Sequence, residues 1–205
     1  MIIEKQLLSI NFTKYRDGHK PEAICEHITD GTAQSVISWF NSLQSQVSAH
    51  YLITKDLRII QFVEDEDQSW GAGLSVNPSA GLVLEKEGVN PNRYLINIEH
   101  ESIGEDITEE QYKLSAELHK FLSKKWNIPL TSKYLIRHNK IRQNKECPRK
   151  ISVDKIIYLA TENKLEQAIC KDLEEENASL RKKLAEQESA NKGIIQWVKS
   201  FFLSS

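Results

Sequence analysis

Residues 22–29 read Glu-Ala-Ile-Cys-Glu-His-Ile-Thr, and this apolar-rich run predicts a buried strand that ends where a loop begins. A second run, Tyr-Leu-Ile-Arg-His, occupies residues 134–138 and closes on His138. Between them, residues 93–101 read Arg-Tyr-Leu-Ile-Asn-Ile-Glu-His-Glu and predict another strand. Because strands of this kind alternate with helical patterns, the chain is predicted to form a mixed central β-sheet flanked by helices, an α/β fold.

The other segments extend this prediction in both directions along the chain. Strands are expected at residues 7–12, 23–29, 47–53, 58–63, 94–99 and 132–138, with a hairpin turn near residues 55–56. Thr32 can cap a short helix whose apolar face contains Val36, Ile37, Trp39 and Phe40. Residues 108–111, Thr-Glu-Glu-Gln, form a capping-box pattern that opens a longer helix. Residues 64–92 read as a long loop around Trp70, and loops of that length are often functional.

Length and composition indicate one globular domain with an appendage. The chain has 205 residues, 40% of them hydrophobic, and a formal net charge of −2, which gives no support for a nucleic-acid partner. Three cysteines form no disulfide framework, and the first residues lack the layout of a signal peptide. We therefore expect synthesis in a reducing cytoplasm.

Three residues have the character of metal ligands. His27 and His138 each close a predicted strand, and Cys147 follows in the turn-like segment Lys-Glu-Cys-Pro. Two imidazoles and one thiolate are a plausible ligand set for tetrahedral zinc, with the fourth position left for water. The alternative is that each histidine is a satisfied structural residue at a strand end, and spacing alone does not decide between the two.

Several short motifs, taken in order, identify a family. They are Ser-Ala-His-Tyr at residues 48–51, Gln-Ser-Trp-Gly-Ala-Gly at 68–73, Ile-Asn-Ile-Glu-His-Glu at 96–101 and Lys-Glu-Cys-Pro at 145–148. With His27 and His138, this set resembles the type 2 N-acetylmuramoyl-L-alanine amidases, which include phage endolysins, bacterial autolysins and peptidoglycan-recognition proteins. The resemblance extends over about three quarters of the chain, from near residue 5 to near residue 160.

The resemblance implies a reaction and assigns roles to residues. The reaction is zinc-dependent hydrolysis of the amide bond between the lactyl group of N-acetylmuramic acid and L-alanine in peptidoglycan. His27, His138 and Cys147 match the zinc ligands, Glu99 matches the general base, and Lys145 matches a lysine that stabilises the oxyanion.

Two further residues are assigned to the substrate side of the site. Trp70 is expected to lie against a sugar or the peptide stem, or else to anchor its loop in the core. His50 occupies a family position and is expected to support the site from behind rather than to bind the metal. His100 and His119 are expected at the surface.

The chain departs from the family pattern at four positions. Ala49 stands where some members have a catalytic tyrosine, which leaves the mechanism dependent on the glutamate. Gly71 replaces a common histidine, Arg149 replaces a common glycine, and Glu26 replaces an apolar residue beside His27. An unpaired carboxylate at position 26 would be costly to bury.

The resemblance leaves the biological setting and one rival function open. A phage or prophage endolysin is the favoured setting, and a muropeptide-recycling enzyme is the other. The rival function is a non-catalytic peptidoglycan-binding protein of the same fold, whose usual mark is loss of the cysteine ligand. Cys147 therefore favours the enzyme.

The C-terminal region differs in character from residues 1–160. Residues 161–190 form a charged helical pattern in which Leu173, Asn177, Leu180 and Leu184 fit heptad core positions, so either a short coiled coil or a solvated single helix is expected. Residues 191–205 form an amphipathic apolar tail, too short to span a bilayer, that would bind a membrane surface, a partner or the domain itself.

Removal of residues 191–205 tests the predicted tail. If the tail binds a membrane or another chain, the truncated protein should keep its activity on soluble substrate and lose liposome binding or self-association. Liposome sedimentation and analytical ultracentrifugation measure the two properties. Unfolding of the truncated protein would instead assign the tail to the domain core.

Overall fold

The computed structural model describes residues 1–7, 9–162, 172–184, 187 and 192. The chain divides into two units, Met1–Thr161 and Glu162–Ser205. In the second unit, residues 172–184 are helical, and the tail predicted at residues 191–205 lies outside the described residues, Lys192 excepted. No helix among the described residues is long and apolar enough to cross a membrane.

The first unit is organised around a six-stranded sheet with the order β1-β5-β4-β7-β3-β8. The strands of this sheet are β1 (Ile3–Lys5), β3 (Ala23–Ile28), β4 (Tyr51–Ile53), β5 (Ile59–Gln61), β7 (Leu95–His100) and β8 (Leu135–Arg137). A small second sheet pairs β2 (Phe12–Thr13) with β6 (Gln68–Ser69). The helices of this unit include α1 (Ala33–Phe40), α2 (Gly81–Glu85), α3 (Glu109–Trp126) and α4 (His138–Ile141), and residues 153–162 are also helical.

The sheet is mixed, because one pair of strands is antiparallel and the others are parallel. β4 and β5 form the predicted hairpin, while β7, β3 and β8 run in the same direction as neighbours. The register aligns His27 with Glu99, and Cys25 with both Asn97 and Ile136. The carboxyl ends of three parallel strands therefore meet at one edge of the sheet, where α/β folds commonly place their sites.

Helices cover both faces of the sheet. On one face, Leu118 and Leu122 of α3 pack against a cluster from four strands that contains Ile24, Tyr51, Ile53, Ile59, Ile96 and Ile98. On the other face, α1 packs through Ala33, Val36 and Phe40 onto residues of β4 and β5. Every residue of β3 is buried. Its sequence therefore lacks the alternation of apolar and polar residues that is typical of a strand with one face in solvent.

The predicted fold class is confirmed, and most element positions agree with the prediction. Thr32 caps α1, and Thr108 with Gln111 forms the expected capping box at the start of α3. The strand predicted at residues 7–12 is wrong: the chain forms β1 before this segment and β2 at its end. The predicted loop at residues 64–92 also contains β6 and α2. They were not predicted because elements as short as these show little hydrophobic periodicity.

A buried ion pair lies between β3 and α3, and it corrects two sequence predictions. His100 and His119 are both fully buried rather than at the surface. Nε2 of His119 lies 2.5 Å from Oε1 of Glu26, and Nδ1 of His119 donates to the carbonyl of Ser115 at 2.7 Å. His119 thus donates from both ring nitrogens and is a cation. The carboxylate at position 26 is not left unpaired.

The charge states of this cluster follow from its contacts. Burial opposes ionisation of Glu26, but the charge of His119 and its hydrogen bond outweigh burial and lower the pKa of Glu26. Burial also opposes the charged form of His119, yet Glu26 raises the pKa of His119 above its ordinary value. Burial lowers the pKa of His100, which as a neutral ring donates from Nδ1 to the carbonyl of His27 and accepts from Ser115.

Substitution of one member of the Glu26–His119 pair should be strongly destabilising. His119→Leu leaves a buried carboxylate without its cation, and we expect a loss of about 3–5 kcal/mol in the free energy of unfolding. The double variant Glu26→Leu/His119→Leu removes both charges and should recover much of that loss. Urea unfolding at pH 7 measures the coupling, and additive effects of the two substitutions would show that the pair does not act as a unit.

Candidate metal centre and active site

The three predicted ligand residues converge at the carboxyl edge of the sheet. His27 lies near the end of β3, His138 follows β8 directly, and Cys147 comes from the loop after α4. One potential ligand atom from each lies within 4.8 Å of the other two. Sγ of Cys147 is 3.7 Å from Nδ1 of His27, and the two imidazole ring centroids are 4.5 Å apart.

Hydrogen bonds to oxygen orient both imidazoles toward the common point. Nε2 of His27 donates to Oδ1 of Asn97 at 3.0 Å, and Nε2 of His138 donates to the carbonyl of Ala72 at 3.2 Å. Each bond fixes the tautomer, so Nδ1 of each ring carries a free lone pair. Metal-binding histidines are commonly held by such an acceptor on the second nitrogen.

Burial keeps the donor atoms uncharged in the absence of a cation. Burial, reinforced by His138, holds the pKa of His27 well below its ordinary value, and burial lowers the pKa of His138 to about 4. Burial and the neighbouring Glu99 raise the pKa of the Cys147 thiol. A dication reverses the last effect, because it stabilises a thiolate directly.

This donor set fits a zinc ion. Two neutral imidazoles with free Nδ1 atoms and one cysteine sulfur are within the span of a single tetrahedral ion, and zinc accepts N and S ligands of this kind. Three protein ligands would leave one position for water or substrate, the arrangement typical of catalytic rather than structural zinc sites.

Glu99 lies in the same cavity as the three donors. Oε2 of Glu99 is buried and has no hydrogen-bond partner among the described residues. Burial, with a smaller effect of Asp30, raises the pKa of Glu99 to about 8. A carboxyl group that exchanges a proton near neutral pH is suited to general acid–base chemistry.

The cavity has a volume of about 460 Å³. Lys145 is exposed and lines it, and the positive charge of Lys145 contributes to the lowered pKa values of His27 and His138. The cavity therefore brings together five residues that the sequence assigned to metal binding and catalysis: His27, Glu99, His138, Lys145 and Cys147.

The two residues assigned to the substrate side lie elsewhere. His50 is fully buried, and both ring nitrogens are engaged by neighbours that include Arg16 and Ser69, so it cannot touch substrate. Trp70 is absent from the cavity lining, and its indole N–H donates to Oγ1 of Thr13 at 3.0 Å. The assignment of these two residues to substrate binding is therefore corrected. His50 supports the site from behind, the role expected from its family position, and Trp70 contacts Thr13, in agreement with the alternative that it anchors its loop.

Sequence reasoning missed the residue that links His50 to the metal centre. Asn97 accepts from His27, donates from Nδ2 to Ser69 and donates its backbone N–H to His50. Its signal was visible, because Asn97 stands two residues before Glu99 and therefore on the same face of β7. The contribution of the Ala72 carbonyl had no such signal, since any residue supplies a main-chain oxygen.

The structure explains two departures from the family pattern. A Cβ atom at Gly71 would lie 2.8 Å from Cγ of Asn97 and 2.9 Å from the carbonyl oxygen of Ser48, so glycine leaves room for the side chain that orients His27. Arg149 has a φ of 52°, in the left-handed region that glycine adopts readily. Its guanidinium forms ion pairs with Asp30 and Glu146.

The raised pKa of Glu99 predicts a stability cost in the metal-free protein. The unfolded chain ionises Glu99 near its ordinary value of 4.5 and the folded chain near 8, so stability falls as pH rises between the two. Glu99→Gln should therefore raise the melting temperature of chelator-treated protein at pH 8 and have less effect at pH 4. Equal shifts at both values would contradict the assigned cause.

Comparisons with known proteins agree with this fold. A selenomethionine derivative of AmpD superposes with a TM-score of 0.62 at 21% identity, covering 78% of this chain and 94% of AmpD. A mutant endolysin from Bacillus subtilis gives a TM-score of 0.56 at 22% identity, covering 78% of this chain and 99% of that one. At these identities the likeness concerns the fold alone.

Sequence comparisons carry the family assignment. N-acetylmuramoyl-L-alanine amidase A of Achromobacter lyticus is 35% identical over 89 residues, which cover 43% of this chain and 41% of that protein. The chain thus matches less than half the length of this curated relative. Residues 17–150, which contain all five cavity residues assigned above, match the family described as N-acetylmuramoyl-L-alanine amidase, and the chain belongs to that family.

Proposed function

We propose that this chain is a zinc-dependent amidase that hydrolyses the bond between the lactyl group of N-acetylmuramic acid and L-alanine in peptidoglycan. The observation that carries the proposal is the convergence of two pre-oriented imidazoles, one thiol and an unpartnered carboxyl group in one cavity. Family membership supports the choice of bond.

His27, His138 and Cys147 would hold the ion. When bound, zinc lowers the pKa of a coordinated water to about 7 and polarises the substrate carbonyl. Asn97 and the Ala72 carbonyl keep the two imidazoles in the tautomer that such an ion requires.

Glu99 would move the proton. Its unpartnered Oε2 can accept a proton from the attacking water and return it to the leaving amine of L-alanine, which completes the hydrolysis without a second acid. Both steps need a carboxyl group whose pKa is well above the ordinary value, and burial raises the pKa of Glu99 to about 8 in the metal-free site.

Lys145 would stabilise the negative charge that develops on the carbonyl oxygen. Its side chain lines the cavity and is exposed, so it can approach a substrate that fills the space above the ligands. A positive group at this position acts mainly on the transition state, where the charge is largest.

The rival function is a peptidoglycan-binding protein that does not cut. Cys147 argues against it, since its sulfur completes the donor set. Glu99 also argues against it, because burying a carboxyl group with no partner weakens the fold, and a role in catalysis gives a reason for that cost. A catalytic function therefore explains the presence of both residues in the cavity.

An endolysin and a muropeptide-recycling enzyme would catalyse the same reaction on different substrates. We propose the endolysin role, in which the protein acts on the cell wall after release. Parallel assays on intact sacculi and on soluble muropeptides distinguish the two, and preference for soluble fragments would favour recycling.

The charged helix supports a second element of the proposal. Leu173, Leu180 and Leu184 are more than half exposed on residues 172–184, and all three fit heptad core positions. We propose self-association through this face as a short coiled coil, with binding by the tail to a membrane or partner as a separate function.

Substitutions in the site should separate metal binding from proton transfer. Purified protein should contain about one zinc per chain. Cys147→Ser should lose much of this zinc, whereas Cys25→Ser, which alters a buried cysteine outside the donor set, should retain it. Metal analysis by mass spectrometry provides the measurement, and equal zinc content in all three proteins would refute the ligand assignment.

Glu99→Gln should keep the zinc and lose about 10²–10⁴ in the rate of dye release from labelled cell walls, the usual scale for a missing general acid or base. The substitution preserves shape, so a loss of rate with unchanged metal content isolates proton transfer. Full wall hydrolysis by Glu99→Gln would remove Glu99 from the mechanism.

A further inference from the structure

The lining of the active-site cavity is polar in one part and apolar in another. The polar part contains the metal donors, Glu99 and Lys145. Most of the apolar part comes from α1 and the segment after it, with Val36, Trp39, Phe40 and Val47, and Ile28 of β3 adds to it. The proposed reaction uses only the polar part, so the apolar part is available to hold the remainder of the substrate.

Trp39 differs from its neighbours in this apolar part. Its side chain is 55% exposed, although α1 buries Val36 and Phe40 beside it. The three tryptophans in the described residues are Trp39, Trp70 and Trp126. The last two donate their indole N–H groups to Thr13 and Asp65, whereas the described residues provide no acceptor for that of Trp39. Trp39 therefore contributes exposed aromatic surface to the cavity lining, and its indole N–H is not engaged by the described residues.

The backbone that carries Trp39 is held firmly. Thr32 caps the first turn of α1, and a carboxylate oxygen of Glu101 accepts from the backbone N–H of Ala33 at 2.8 Å. At the other end, Phe40 packs edge-to-face on Phe62 with ring centroids 5.3 Å apart. A platform on an anchored helix requires little ordering when a ligand binds.

We propose that Trp39 is the platform for the saccharide ring of the substrate, with the pyranose lying against the indole face and a ring hydroxyl accepting from the indole N–H. This inference rests on the proposed function, in which a muramoyl sugar stands on one side of the bond that is cut. A pyranose has an apolar C–H face and polar edges, which match the aromatic face and N–H of tryptophan. Asp30 and Ser35 line the same cavity and provide oxygen acceptors for other hydroxyl groups.

A pair of matched ligands tests the proposal by equilibrium binding. The probes are N-acetylmuramoyl-L-alanyl-D-isoglutamine and N-acetyl-L-alanyl-D-isoglutamine, which share the peptide and differ in the sugar. Binding is measured by calorimetry in zinc-loaded Glu99→Gln protein, where the probe should survive. Trp39→Ala should weaken binding of the muramoyl probe about tenfold and leave that of the sugar-free probe unchanged.

Three further variants complete the design. Trp39→Phe keeps an aromatic face without the N–H, so its affinity for the muramoyl probe should lie between those of the parent protein and of Trp39→Ala. Phe121→Ala, which removes an exposed aromatic ring on α3 outside the cavity lining, should bind both probes as before. Because Trp39 is exposed, Trp39→Ala should keep the zinc content and melting temperature of the parent protein, so a loss of binding is not a loss of folding.

Equal weakening for both probes would overturn the proposal by placing the peptide on Trp39, and unchanged binding of the muramoyl probe would overturn it by removing Trp39 from the contact. Failure of the proposed function has a different signature. A protein with intact Glu99 that binds the muramoyl probe through Trp39 but releases no dye from cell walls would refute hydrolysis and leave the saccharide subsite in place.

Discussion

The complete burial of β3 is the constraint on which the rest of the structure depends. A strand with no solvent-facing side must satisfy every polar side chain that it carries, and β3 carries two in succession, Glu26 and His27. Because successive side chains point to opposite faces, one projects toward α3 and the other toward the cavity. The two side chains have different roles: the one on the α3 face stabilises the fold, and the one on the cavity face belongs to the candidate active site.

On the α3 face, the protein neutralises the charge, although Oε2 of Glu26 has no hydrogen-bond partner among the described residues. Glu26 meets a cationic His119, and His100 donates to the backbone of His27 from the same cluster. On the cavity face, by contrast, the protein brings together polar atoms that have not been fully paired with one another. His27, His138 and Cys147 are held uncharged and close together, and Glu99 keeps an oxygen atom with no partner. An unpartnered carboxyl oxygen beside three potential metal donors marks this cavity as the part of the molecule that awaits a ligand.

The hydrogen bonds behind the site explain how the potential metal ligands stay ordered. Asn97 connects His27 to Ser69 and His50, and Arg16 closes the chain of contacts at its inner end. Arg16 also donates to the carbonyl of Asp65 and to the carbonyl of Leu95. The orientation of a metal ligand therefore depends on the loop that follows β5, which explains why this loop contains Gly71 where a side chain would collide with Asn97.

The sequence by itself determined the fold class, the strands that converge at the site, the capped helices, and the five residues that the cavity brings together. The strands and caps depend on local chemistry, because apolar runs and capping residues are recognisable one segment at a time. The roles of the five residues came from the resemblance of the ordered motifs to the amidase family. Tertiary structure alone decided the partner of Glu26, the burial of His100 and His119, and the exchange of Trp70 for Trp39 at the cavity. The sequence predicts Trp39 on the apolar face of a short helix and Trp70 in a loop, either against the substrate or as an anchor. Which one faces the cavity depends on how α1 and the loop pack against the sheet, and that packing joins residues far apart in the chain.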